Sequence, residues 1–243
     1  ATGATLDMLV THLFQVAAEV AMEPPAALDA AGLQNAREKV IRSFRPLDPA
    51  EVVLGQYAGF RDVEGIPKRS RTDTYVAARL WIDNPRWRGV PFLLRTGKRM
   101  AATKERVSIL LRTPTGPFAA LPGTANVLSF ALSGSGEIGL SLLAKKPGVA
   151  LDVEPAEVTL PLGSLPSGSL PSGKPLPPYA RLLHDVLQGD RSLFTRPDGL
   201  AAAWKAVGPL LENRPRLHRY EQGSWGPAAA RKLAAPHGWL LGE

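Results

Sequence analysis

Hydrophobic residues recur every three or four positions near both ends of the chain and every second position in its middle. The first spacing is typical of amphipathic helices and the second of strands with one buried face. Helical spacing predicts helices at residues 6–22, 33–44, 179–187 and 199–211, and a short helix that ends at Leu233. Alternating or continuous apolar runs predict strands at 52–57, 74–83, 92–96, 107–112, 126–132, 138–144 and 153–160.

The order of these elements predicts an α+β fold. The strand candidates follow one another with short, turn-rich connections such as residues 133–136, whereas parallel pairing would need crossovers of about a dozen residues or more. We therefore expect a large, mainly antiparallel (mixed) sheet with helices packed on one face. An uncovered apolar face of such a sheet would favour association with a partner.

One segment interrupts this pattern. Residues 164–178 contain the tandem repeat Ser-Leu-Pro-Ser-Gly followed by a proline-rich stretch. This composition cannot bury enough surface to order itself, which predicts a flexible loop without chemistry. The remaining pattern predicts that residues 1–243 form a single domain.

Composition narrows the class of protein. The chain is 44% hydrophobic and 21% charged, which predicts a globular protein. No apolar run reaches the roughly 18 residues of a membrane span, and no basic-then-apolar leader is visible, so we expect a cytoplasmic protein without membrane contact. The absence of cysteine excludes disulfides and thiolate catalysis. No cluster of His, Asp and Glu has the spacing of a metal site, so no metal is expected.

The formal charge of +7 raises the question of an anionic partner. The basic residues are scattered, with short clusters only at 68–71, 86–88 and 145–146, and no stripe of aromatic and basic residues accompanies them. This distribution favours a phosphorylated metabolite and leaves nucleic acid as a minor hypothesis. No Gly-x-Gly-x-x-Gly or Walker-type loop occurs, so no nucleotide-binding module is visible.

The first helix carries an unusual polar edge. On an α-helix, Asp7, Thr11, His12, Gln15 and Glu19 fall within an arc of roughly 140°, and apolar residues occupy most of the remaining surface. A carboxylate, a hydroxyl, an imidazole and an amide are the groups of a binding or catalytic site. The alternative is a helix edge whose polar groups bond to neighbouring backbone.

Several stretches, in order along nearly the whole chain, carry a resemblance to a known family. They are Asp7-Met8-x-x-x-x-His12-Leu13-x-Gln15 with Ala21-Met22-Glu23-Pro24-Pro25, Val53-Leu54-Gly55-Gln56-Tyr57, Arg86-Trp87-x-Gly89-Val90-Pro91-Phe92-x-Leu94-Arg95-Thr96-Gly97-Lys98, Lys145-Lys146-Pro147-Gly148, Asp185-Val186-Leu187-x-Gly189-Asp190 and Gly223-Ser224-Trp225-Gly226-Pro227. Together they resemble the C-terminal half of glucose-6-phosphate dehydrogenase.

This resemblance implies an activity and an architecture. The activity is NADP-dependent oxidation of β-D-glucose 6-phosphate at C1 to 6-phosphogluconolactone, in the oxidative pentose phosphate pathway. The family combines an N-terminal Rossmann domain with a β+α substrate domain, and only the second is similar to these 243 residues. The chain alone is therefore expected to be inactive for lack of the coenzyme domain. The resemblance also implies a homo-oligomer, a dimer or tetramer, that associates through the large sheet.

The resemblance also assigns roles to individual residues. His12 matches the general base, a role that suits an imidazole near neutral pH, and Asp7 matches the carboxylate that accepts sugar hydroxyls. Lys98 matches a substrate-binding lysine. A second cation of the family falls nearest to Lys104, with a loop shift of one residue. Ser133 stands where many members have a glutamine that contacts the sugar.

This chain differs from some members of the family at a second nucleotide site. Some members bind a second, structural NADP through a Tyr, a Lys and an Arg, but this chain has Gly139, Ser141 and Trp225 there, so that nucleotide is not expected.

The remaining histidines carry no predicted role. His184 is interpreted as a packing residue of the helix at 179–187, and His218 and His237 as isolated loop residues.

The alternative to an enzyme is a non-catalytic oligomerisation or assembly chain of the same fold. Retention of Asp7, His12 and Lys98 favours the enzyme.

Overall fold

The computed structural model describes residues 2–120, 126–133, 136–150, 152–162 and 177–241. The chain divides into two compact units. The first unit comprises Ala1–Ala102 and Leu176–Glu243, and the second comprises Thr103–Pro175. The expected single domain over residues 1–243 stays a prediction. Of the loop expected at 164–178, residues 164–176 lie outside the described residues, and Pro178 already belongs to a helix.

The first unit contains the helices that the sequence predicts, with small shifts at their ends. A π-helix, Thr5–Leu13, continues directly into α1, Phe14–Ala21. The other helices are α2 (Ala30–Ile41), α3 (Pro178–Gln188), α4 (Pro197–Glu212) and α5 (Ala229–Leu233). Asp29 begins α2 by accepting a hydrogen bond from the Gly32 N–H (2.7 Å), which satisfies one free donor of the first turn.

The sheet of the first unit has four strands. Strands β1 (Val52–Tyr57), β2 (Tyr75–Leu80) and β3 (Phe92–Gly97) pair antiparallel. The last strand along the chain, β8 (Leu217–Tyr220), pairs parallel with β1, so the order across the sheet is β3-β2-β1-β8. The sequence did not predict β8. His218 therefore lies in a strand opposite Gly55, and its interpretation as a loop residue was wrong.

The second unit contains a four-stranded antiparallel sheet in the order β4-β5-β6-β7. Its strands are β4 (Arg106–Leu110), β5 (Val127–Ala131), β6 (Glu137–Lys145) and β7 (Val153–Pro161). The α+β class with mainly antiparallel pairing is confirmed. The described strands nevertheless form two sheets, with β3 at an edge of the first and β4 at an edge of the second.

The core of the first unit fills both faces of β2. Val76, Ala78 and Leu80 belong to the cluster that also contains buried residues of the π-helix, α1, α2 and α4. Tyr75 and Ala77, which alternate with them, pack in a second cluster with residues of α5. Most helices thus cover one face of this sheet, and the short α5 covers the other.

Tyr75 gives this core a pH dependence at alkaline pH. Its side chain is fully buried. Burial raises the pKa of the Tyr75 hydroxyl well above its ordinary value, against the positive charge of Arg95. Burial likewise raises the pKa of Tyr220. Below pH 10 the folded and unfolded chains both hold these protons, and above it only the unfolded chain readily releases them.

We expect the free energy of unfolding to fall as pH rises above 10, by up to about 1.4 kcal/mol per pH unit for each such tyrosine. Tyr75→Phe should reduce this slope, whereas Tyr179→Phe should leave it unchanged, because the Tyr179 side chain is 82% exposed. Urea unfolding between pH 9 and 11 measures the slope. Equal slopes for Tyr75→Phe and the unmodified chain would contradict this assignment.

Candidate functional site

The helix that carries Asp7 and His12 differs from the α-helix that the sequence predicts. Its first nine residues form a π-helix, and the Phe14 N–H donates to the carbonyl of Leu9, five residues earlier. On an α-helix, Asp7 and His12 would point about 140° apart. Hydrogen bonds from residue i to i+5 widen each turn, so residues five positions apart lie at a smaller angle to one another than on an α-helix. The π-helix therefore brings Asp7 and His12 closer to one side of the helix than the predicted α-helix would.

The polar edge of this helix divides into two kinds of residue. Thr11 donates its hydroxyl hydrogen bond to the carbonyl of Asp7, and Glu19 forms an ion pair with the buried Arg37 (2.7 Å). Asp7 and His12 are exposed, and their side chains contact no hydrogen-bond or ion-pair partner among the described residues. Bonding to the protein thus accounts for Thr11 and Glu19 and leaves Asp7 and His12 available to a ligand.

Gln15, which follows His12 along the same edge, is also incompletely bonded. Its side-chain oxygen is buried and has no hydrogen-bond partner within the described part of the chain. A buried amide oxygen without a donor is costly. Gln15 therefore joins Asp7 and His12 as a polar group whose partner is not supplied by the described residues.

Asp73 fixes the start of the π-helix. The Asp73 carboxylate is 3% exposed and accepts hydrogen bonds from the N–H and the hydroxyl of Thr5, at 2.7 and 2.8 Å. The Ala4 N–H donates to the Asp73 carbonyl (2.9 Å), and Arg214 donates to the other carboxylate oxygen. The first turn is therefore held to the residues that precede β2. Sequence analysis did not identify Asp73, because nothing local distinguishes it from a loop aspartate.

Lys98 lies beside this anchor. It follows β3 directly, and its N–H donates to the carbonyl of Thr74, the residue next to Asp73 (2.9 Å). Its own carbonyl accepts from the hydroxyl of Tyr220 (2.7 Å). The π-helix also packs against β3. Two adjacent residues, Asp73 and Thr74, thus hold the start of the π-helix and Lys98 at one end of the sheet.

The Lys98 side chain is exposed and forms no ion pair with any described residue. An unpaired ammonium on an element that packs beside the helix of an unpaired imidazole and carboxylate can bind an anionic group and leave the other two free for hydroxyl groups. The structure therefore places three of the four predicted residues on neighbouring elements of one unit.

The fourth predicted residue, Lys104, lies in the second unit. It is exposed and precedes β4 by two residues. Ser133, the expected replacement of a glutamine, is exposed in the same unit. The participation of both in the site stays a prediction.

The remaining candidate histidine does not pack as expected. His184, on α3, has a side chain that is 63% exposed and contacts the neighbouring Asp185 at 3.5 Å. Its interpretation as a packing residue was wrong, because α3 turns its apolar residues Tyr179, Leu183 and Leu187 outward as well.

The described residues offer neither a metal site nor a membrane-spanning helix. Across the residues that the structure covers, no group of three or more His, Asp and Glu side chains could hold a metal ion. No helix in those same ranges is long and apolar enough to cross a membrane.

Comparison with known proteins identifies the relatives of this chain. The family model for the glucose-6-phosphate dehydrogenase C-terminal domain matches residues 1–240. Glucose-6-phosphate 1-dehydrogenase 1 of Mycobacterium tuberculosis (strain CDC 1551 / Oshkosh) is 39% identical over 98% of this chain and 50% of its own length. The chain thus spans about half the length of the curated relatives that it matches.

Solved structures of glucose-6-phosphate dehydrogenases superpose on this chain. The crystal structure of glucose-6-phosphate 1-dehydrogenase from Mycobacterium avium superposes with a TM-score of 0.86 at 36% identity, over 99% of this chain and 51% of that one. A glucose-6-phosphate dehydrogenase in complex with its substrate glucose-6-phosphate superposes with a TM-score of 0.82 at 27% identity, over 100% of this chain and 52% of that one.

Proposed function

The chain belongs to the glucose-6-phosphate dehydrogenase C-terminal domain family, and we propose that it supplies the general base and part of the sugar-phosphate site of an NADP-dependent glucose-6-phosphate 1-dehydrogenase. The observation that carries this proposal is the arrangement of Asp7 and His12. Both are exposed and unpaired among the described residues, on a π-helix whose start is anchored next to Lys98.

His12 is the proposed base. Oxidation at C1 of glucose 6-phosphate requires the C1 hydroxyl to lose its proton, and a neutral imidazole can accept it near neutral pH. Asp7, on the same helix, would accept hydrogen bonds from sugar hydroxyls and so fix C1 relative to the imidazole.

Lys98 is the proposed phosphate ligand within the first unit. Its backbone is fixed by hydrogen bonds to Thr74 and Tyr220, so the exposed ammonium extends from a rigid strand end. A charged hydrogen bond to phosphate is stronger than a neutral one. Lys104 is proposed as a second cation for the same phosphate.

The proposed coenzyme does not fit on this chain. No glycine-rich loop joins a strand to a helix N-terminus in the sequence, so the residues present lack a dinucleotide-binding turn. NADP, which would supply the hydride acceptor, is therefore proposed to bind a separate coenzyme domain.

A structural NADP on this chain is not part of the proposal. At the position where some members of the family carry an arginine, this chain has Trp225, whose ring centre lies 5.3 Å from the Arg95 guanidinium carbon. The ring centre of Trp239 lies 4.5 Å from the same carbon. These rings stack on the cation and offer no positive charge to a phosphate.

We further propose that the protein is a cytoplasmic homo-oligomer, a dimer or tetramer that associates through its β-sheet. Its proposed place is in the pentose phosphate pathway.

Lys98→Met tests the phosphate site. In an enzyme that joins this chain to a coenzyme domain, we expect KM for glucose 6-phosphate to rise by about tenfold to a hundredfold, with a much smaller change in kcat, because a charged hydrogen bond is worth about 1.5–3 kcal/mol. Steady-state kinetics measures both constants. Lys205→Met removes an exposed lysine of α4 and serves as the control. An unchanged KM for Lys98→Met would refute the role of Lys98.

A further inference from the structure

A pocket at the β8 side of the first sheet has no role in the proposed reaction. Its volume is about 460 Å³, and its lining residues are Gln56, Arg61, Arg71, Arg216, Leu217 and Arg219. Four of these six side chains are guanidinium groups, and none is a carboxylate. The pocket shares no residue with the proposed sugar-phosphate site.

The inner wall of this pocket is fixed by a buried amide. Gln56, which is 2% exposed, donates from Nε2 to the carbonyls of Ser70 (3.2 Å) and Thr72 (2.8 Å). Its Oε1 accepts a hydrogen bond from Nε of Arg61 at 3.0 Å. Gln56 thus bonds to the Arg61 guanidinium and to the carbonyls of both neighbours of Arg71. This one buried amide therefore holds both arginines at the pocket.

Strand β8 supplies the other two cations. Arg219 lies opposite Gln56 in the parallel pairing of β8 with β1, and Arg216 immediately precedes the strand. The pairing of β8 with β1 places the backbones of these two arginines close to Gln56. Both side chains are exposed.

The charge of the pocket is not balanced by the protein. Within the described residues, none of its four arginines forms an ion pair with a carboxylate, whereas Arg37, Arg42, Arg45, Arg79 and others do. A smaller adjoining cavity of about 230 Å³ shares Arg61 and Arg219 and adds Asp62 and Lys68, but that aspartate pairs with Lys68 at 3.2 Å. Converging like charges repel one another unless an anion lies between them.

We propose that this pocket binds a small polyphosphate anion, either free or carried by a nucleotide. Guanidinium groups present paired N–H donors that match phosphate oxygens, and four of them supply more positive charge than one phosphate group balances. The pocket volume accommodates a ligand of this size. The proposal does not depend on the proposed dehydrogenase function.

The same short segment, residues 70–73, contacts both the pocket and the π-helix. Arg214 donates to the carbonyl of Arg71 (3.1 Å) and to the carboxylate of Asp73, which in turn holds Thr5. Residues 70–73 therefore connect the wall of the pocket to the start of the helix that carries His12.

Titration calorimetry of the full 243-residue chain tests this site, with inorganic tripolyphosphate and ATP as probes at a constant ionic strength near 0.1 M. The variant Arg216→Gln/Arg219→Gln removes two pocket cations. Its matched control is Lys205→Gln/Arg231→Gln, which removes two exposed cations of α4 and α5. Thermal unfolding of each protein without ligand verifies that it is folded.

We expect saturable one-to-one binding of at least one probe, weakened by roughly tenfold or more for each pocket arginine removed and changed by less than about twofold in the control. Excess glucose 6-phosphate should not displace the probe. Tighter binding of ATP than of tripolyphosphate would identify a nucleotide as the source of the phosphates. The absence of saturable binding, an equal loss in the control, or displacement by glucose 6-phosphate would overturn the proposal.

Discussion

Replacing His12 by asparagine should lower kcat by about 10²–10⁴-fold, the usual contribution of a general base, in an enzyme that joins this chain to a coenzyme domain. Asparagine keeps a polar side chain of similar reach but cannot accept the C1 hydroxyl proton. Because His12 is exposed and has no bonding partner among the described residues, its removal should not destabilise the fold. The KM for glucose 6-phosphate should therefore change little.

The matched control for this variant is His184→Asn. His184 is also exposed and also lies on a helix of the first unit, but it has no place in the proposed reaction. Its replacement should leave kcat within about twofold of the unmodified enzyme, since a surface substitution away from a site is usually neutral. Equal kcat values for His12→Asn and His184→Asn would show that His12 is not the base.

Replacing Asp73 by alanine should lower the free energy of unfolding by about 2–4 kcal/mol. The buried carboxylate accepts hydrogen bonds from the N–H and hydroxyl of Thr5 and from Arg214, and a buried donor left without an acceptor costs about 1–3 kcal/mol. The first turn of the π-helix should then loosen, so we also expect kcat to fall even though Asp73 is not proposed to contact substrate. Urea unfolding and steady-state kinetics measure the two effects.

Asp83→Ala is the comparison for this variant. Asp83 also accepts hydrogen bonds from an arginine, Arg45, which lowers the pKa of the Asp83 carboxyl, but the side chain is 51% exposed. Exposed ion pairs contribute about 0–1 kcal/mol. A loss of stability for Asp73→Ala no greater than that for Asp83→Ala would mean that Asp73 does not anchor the helix.

The sequence predicts the longer elements of this fold well, because their hydrophobic spacing is local. The π-helix, helices α1 to α5 and strands β1 to β7 lie within a few residues of the predicted positions. Strand β8 was not predicted because two of its four residues are the polar His218 and Arg219 and because it forms by parallel pairing with β1, far away in the sequence. The division of the strands into two sheets likewise has no signal in the hydrophobic spacing of the individual strands.

The candidate site was predictable in part. Helical spacing and the family resemblance identify Asp7 and His12, but spacing alone cannot separate them from Glu19, which the structure shows paired with Arg37. The π-helix has no signal in a pattern that assumes an α-helical period. Asp73 and Thr74 are brought to the site by contacts with residues far away in sequence, so no local pattern could reveal them.

The central claim is that the π-helix and the end of β3 form one sugar-phosphate site in which His12 is the base and Lys98 binds phosphate. The most direct test measures kcat and KM for glucose 6-phosphate in His12→Asn and Lys98→Met of the same enzyme. We expect the loss to fall on kcat for His12→Asn and on KM for Lys98→Met. An unchanged kcat for His12→Asn, together with an unchanged KM for Lys98→Met, would contradict this claim.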